Sequence, residues 1–68
     1  MQSLILLVME NLLKKYLQKL TNCSDIYIDW YNITGADCVV CYATDEDMYY
    51  KNDDTINIWE MLVFLNDK

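Results

Sequence analysis

Residues 25–33, Asp25-Ile26-Tyr27-Ile28-Asp29-Trp30-Tyr31-Asn32-Ile33, decide the fold. Ile26, Ile28 and Trp30 share one parity; Asp25, Tyr27, Asp29, Tyr31 and Ile33 share the other. Alternation with period two signals a half-buried strand, because successive side chains point to opposite faces. The spacing predicts Ile26, Ile28 and Trp30 facing a core. Asp25, Tyr27, Asp29 and Tyr31 then form an outer face, spaced about 6.6 Å apart along the strand.

C-terminal to this stretch, Thr34-Gly35-Ala36-Asp37 surrounds the sole glycine and reads as a turn. Residues 38–44, Cys-Val-Val-Cys-Tyr-Ala-Thr, are apolar on both parities and read as a second, central strand. Asp45-Glu46-Asp47 is a turn, Met48 to Lys51 a short third strand, and Asn52-Asp53-Asp54 a break. Residues 55–67 sort their polar positions better as a helix than as a strand, where Glu60 would interrupt the apolar set. Asp54 or Thr55 would cap that helix. Ile56, Trp59, Leu62 and Val63 would face the core.

N-terminal to it, residues 3–21 read as a helix capped by Ser3. Ile5, Met9, Leu12, Leu13, Tyr16, Leu17 and Leu20 recur at three- and four-residue spacing and make its apolar face. Leu4 and Leu7 fall on the polar side. The predicted fold is α+β, in the order α-β-β-β-α: one domain over residues 1–68, with a three-stranded antiparallel meander covered on one face by two helices. Its core would be Leu12, Leu13, Tyr16, Leu20, Ile26, Ile28, Trp30, Val40, Trp59, Leu62 and Val63.

The missing residues restrict the chemistry. The chain has no His, no Arg and no Pro, and a single Gly. Histidine is the usual general base near neutral pH, and arginine the usual fork for phosphates and carboxylates. Glycine-rich loops let backbone N–H groups approach a phosphate. Their absence points away from catalysis, so an enzyme is not expected, and neither is a cofactor. Cys38-Val39-Val40-Cys41 has the spacing of half a zinc or redox site. Inside a strand, however, positions three apart face opposite ways, so no shared metal is expected and the cysteines read as free, small hydrophobes. The acidic turns lack the alternation and the glycine of a calcium loop.

Charge is divided along the chain. Residues 1–22 carry a net +2 and residues 23–68 a net −8, for −6 overall. Such a surface repels nucleic-acid backbones and attracts basic protein surfaces. The apolar run from Leu4 to Met9 is too short to span a bilayer, and no basic residue precedes it, so neither a membrane span nor a signal peptide is expected and a cytoplasmic setting is inferred. Abundant Asn, Asp, Ile, Tyr and Lys suit an AT-rich coding sequence, as in a virus, a phage or a low-GC bacterium.

The expected binding residues are Asp25, Tyr27, Asp29, Tyr31, Asp45, Glu46, Asp47 and Tyr49, with Tyr42 and Tyr50 adding to them. Tyrosine supplies rigid amphipathic contact area, and the neighbouring acids set the sign of the partner. An acid-and-tyrosine surface of this kind resembles what a DNA-mimicking inhibitor presents to a basic cleft. The function read from the sequence is a small acidic protein-binding module that inhibits a basic partner, nucleic-acid-handling or other, without touching nucleic acid itself. The competing reading is an oligomerising structural or regulatory subunit. With 54% apolar residues in so short a chain, self-association as a homodimer through Leu4, Leu7 and surplus apolar residues of the last segment belongs to that reading.

Overall fold

A computed structural model describes the backbone of residues 4–67 and the side chains of residues 7–67. The elements run α1 (Leu4–Thr21), β1 (Ile26–Thr34), β2 (Asp37–Thr44), β3 (Asp47–Asn57) and α2 (Ile58–Asn66). The strands form one antiparallel sheet in the order β1-β2-β3. The α-β-β-β-α order and the α+β class are those expected from the sequence. Ser3 and the side chains of Leu4 and Ile5 lie outside the described residues.

Met9, Leu13 and Leu17 are buried at four-residue intervals along α1, so they form one stripe down the helix. They meet Ile26 of β1, Cys38, Val40 and Tyr42 of β2, Ile56 of β3 and Met61 of α2 in a single cluster. Both helices therefore lie on one face of the sheet. Asn22 ends α1 in the left-handed region, with φ of 58°, and its N–H donates to the Gln18 carbonyl at 2.9 Å. Gly35, at φ of 62°, takes the first of the two loop positions between β1 and β2, where a tight hairpin favours glycine.

Four expectations need correction. The first is the parity of β1. Ile28 pairs with Tyr42, yet Trp30 pairs with Cys41, so Asp29 is an extra residue in the ladder. Such a bulge reverses the alternation beyond it. Tyr31 and Ile33 turn inward and pack against the core cluster, while Trp30 turns outward and is 51% exposed. The second is the length of β3, which continues through Asn52, Asp53 and Asp54 to Asn57. These polar residues sit on a sheet edge, where side chains reach water and β2 supplies the backbone partners.

The third is the start of the last helix. Ile56 is a buried strand residue, and Asn57 is the cap, its Oδ1 accepting from the Glu60 N–H at 3.0 Å. Asp37 accepts from Asn57 Nδ2 at 3.2 Å and so orients the capping amide. The Ile58 N–H donates to the Ala36 carbonyl at 2.7 Å, which fixes the start of α2 to the first hairpin. The fourth follows from the third. With the helix beginning at Ile58, Met61 faces the core, flanked by Ile58 and Leu65. Trp59, Leu62 and Val63 are exposed instead, as is Leu20 on α1. Leu13, Ile26 and Val40 are buried as expected, and Leu12, Tyr16 and Ile28 are partly buried against them.

The contrast within α1 is directly testable. Leu17→Ala should cost about 2–5 kcal/mol in urea unfolding, because it leaves a cavity in the core cluster of a thin domain. Leu20→Ala should stay within about 0.5 kcal/mol. Equal losses at the two positions would mean that the stripe is misassigned.

Candidate functional site

The reversal at Asp29 dismantles the expected outer face. Tyr31 lies on the helix side, where burial first, then the charges of Glu10 and Cys38, raise its pKa above 10.0. Tyr42 is likewise a core residue, not a surface one. Its hydroxyl donates to Asp54 Oδ2 at 3.4 Å, and burial together with the Asp54 charge holds its pKa above 10.0. Asp29 stays exposed on the bulge, in an ion pair with Lys51 of β3.

The other expected residues gather at one end of the sheet. The Asp45 N–H donates to the Asp25 carbonyl at 3.2 Å, and Ser24 Oγ donates to Asp45 Oδ2 at 2.6 Å. These two bonds join the entry to β1 to the β2–β3 turn. Asp25, Asp45, Glu46 and Asp47 are all exposed there. Tyr27 pairs with Ala43 near the same end, on the face away from the helices.

The β2–β3 ladder then loses register. Tyr42 pairs with Asn52 and Thr44 with Asp47, so Ala43 faces a four-residue excursion, Met48 to Lys51. Tyr49 is 94% exposed and Tyr50 72%. Met48 accompanies them at 53%. Sequence reading placed Tyr49 in the site but missed Met48. Its only signal was two tyrosines directly after an acidic turn, a pattern that an ordinary strand also explains.

Cys38 is fully buried and Cys41 half-buried, and they lie on opposite faces of β2. Burial, then the charge of Asp37, raises the Cys38 thiol above 9.0. A hydrogen bond to Asp53 is the largest cause raising Cys41 above 9.0, followed by burial and the Asp53 charge. Among the described residues, no three His, Cys, Asp or Glu side chains converge as a metal site. Also among them, no helix is long and apolar enough to cross a membrane.

No protein family, no curated protein and no solved structure matches this chain. The functional reading therefore rests on geometry and charge.

Two outcomes follow from the cysteines and tyrosines. Metal analysis of protein purified without chelator should find no stoichiometric metal, since the paired thiols face apart; one zinc per chain would contradict the strand register. The second concerns alkaline pH. The raised groups keep their protons to higher pH in the folded chain than in the unfolded one. Their contribution is complete below pH 9.0 and is lost as pH rises through the folded-state values. Thermal melts should thus hold a steady Tm from neutral pH to about pH 9 and then decline. Replacing both thiols, Cys38→Ala with Cys41→Ala, should move the onset up towards 10.0, where Tyr31 and Tyr42 take over. A Tm that climbs above pH 9 would contradict these shifts.

Proposed function

We propose that this chain is a non-enzymatic protein-binding module that engages a basic partner through the acidic, tyrosine-bearing end of its sheet. The observation that carries this reading is Tyr49, 94% exposed on the β3 excursion two residues after the Asp45-Glu46-Asp47 turn. A large aromatic ring with no packing role of its own chain is what an interface anchor looks like before its partner arrives. Met48 and Tyr50 widen the apolar contact, and Met adapts to irregular surfaces. Asp25 and the turn acids supply the long-range field.

The two residue types have separate tasks. Acids steer the encounter and set k_on, whereas buried aromatics hold the complex and set k_off. The strands and turns together hold eight acids against Lys51 alone, a net −7, so the field belongs to the sheet. Inhibition of a nucleic-acid-handling partner is the consequence if the basic surface engaged is one that otherwise holds phosphates.

The partner captured from source cells permits the test. Asp25→Lys with Asp47→Lys should slow association about tenfold at low salt and much less at high salt. Tyr49→Ala or Tyr50→Ala should speed dissociation by roughly 30-fold, the scale of one interface hot spot. Binding that ignores salt and survives the tyrosine substitutions would overturn this reading.

A further inference from the structure

The helix layer carries a second surface of different character. α2 has seven apolar residues out of nine, yet only Met61 is buried. Trp59 is 69% exposed and Val63 70%, one turn apart, so they form a ridge along the outer side of the helix. A shallow hollow, largely open to solvent, lies on each flank of this ridge. One, of about 450 Å³, is walled by Leu62, Leu65 and Asn66. The other, of about 420 Å³, is walled by Glu60, Phe64 and Asp67. Phe64 is held in place by Tyr16 of α1, ring edge to ring face, with centroids 5.2 Å apart.

The geometry points to a second copy of this chain as the occupant, packed on α2 about a two-fold axis. Shape is the first argument. An i,i+4 ridge between two hollows is self-complementary: the ridge of each copy fits a hollow of the other, as in ridges-into-grooves packing. Area is the second. Trp59 alone leaves about 170 Å² open, taking an aromatic side chain as roughly 250 Å². With Leu62, Val63 and Phe64 the open apolar patch is roughly 400 Å², in the range that marks functional patches. Doubled across a two-fold and given its polar rim, it reaches about 1,000 Å², the lower end of specific interfaces. An interface of this size suits a weak, concentration-dependent dimer.

Charge is the third argument, and it selects the orientation. Two chains of net charge −6 repel. The sheet and its turns hold −7, whereas α1 carries +2 and residues 58–68, through Glu60, Asp67 and Lys68, −1. The helix segments are therefore close to neutral, with both signs on their rim: Lys15 and Lys19 line a groove together with Leu65, and Glu60 and Asp67 line the far hollow. Packing helix layer against helix layer places the two sheets roughly 30 Å apart, at about 10 Å per layer. That is several Debye lengths of about 8 Å, so the like charges are screened.

Sedimentation of the full chain across concentration tests the proposal. The weight-average mass should rise from 8.1 kDa towards twice that value, and high salt should preserve or strengthen the dimer. Trp59→Lys with Val63→Lys should remain monomeric throughout, while Leu7→Lys should dimerise like the unmodified chain. Trp30→Phe supplies a readout that leaves α2 intact: Trp59 is then the sole indole, and its emission should shift to the blue as the dimer forms. The proposal is overturned by a monomer at every concentration, which would leave α2 to another protein. It is equally overturned by a dimer that salt dissolves, that Leu7→Lys abolishes, or that forms without a change in Trp59 emission.

Discussion

One extra residue in one strand governs the layout of this molecule. Asp29 has no counterpart on β2, so the alternation of β1 reverses halfway along it. Without that reversal, Tyr31 and Ile33 would face water and Trp30 would have to fit beneath the helices. With it, Ile26, Ile28, Tyr31 and Ile33 all pack toward the core, and the bulky indole is left on the open face. A small core accepts medium side chains more readily than Trp, so the bulge matches the strand to the space that two short helices can cover. Lys51 pairs with Asp29 and connects the bulge on β1 to the excursion on β3, the two places where the sheet departs from regular pairing.

The element order was legible because the strongest patterns are local. Three- and four-residue spacing in α1, the glycine between β1 and β2, and the apolar run of β2 each point to one structure. What escaped depends on contacts between elements. Asn52-Asp53-Asp54 reads as a break by local preference, yet an edge strand tolerates it because β2 supplies its backbone hydrogen bonds. The cap of α2 moved to Asn57 because Asp37, twenty residues earlier, holds that side chain in place. A bulge leaves no mark in a hydrophobic pattern of nine residues, since the pattern before it and the pattern after it are both regular. For that reason Tyr31 reads as an outer-face residue although it turns inward, whereas Asp25, Tyr27, the turn acids and Tyr49 are exposed as their local pattern suggests.

The distribution of charge and apolar area gives the two sides of the sheet different physics. The strands and turns concentrate negative charge that acts at a distance and weakens with salt. The helix layer is close to neutral and exposes Trp59 and Val63, which act only in contact and respond little to salt. A domain of this size cannot enclose all of its apolar side chains, because its surface is large relative to its volume. A large part of the excess is grouped on α2, on the helix side of the sheet. That separation prevents the charged end from being desolvated whenever the apolar face is covered, and burying an unpaired carboxylate would be costly.

α2 also starts from the end of the sheet opposite the acidic turn. α2 starts beside Ala36, at the β1–β2 turn, whereas Asp25, Asp45 to Asp47 and Tyr49 cluster at the β2–β3 turn. A pair of chains joined through α2 would therefore present two acidic ends facing outward. Against a partner with two basic sites, the second contact becomes intramolecular and gains the effective concentration of a short, rigid link. A dimer too weak to dominate by itself would then be stabilised by the partner, because the bound state counts only the paired form. Linkage makes the effect mutual: whatever free energy the partner adds to the dimer, the dimer returns to partner binding.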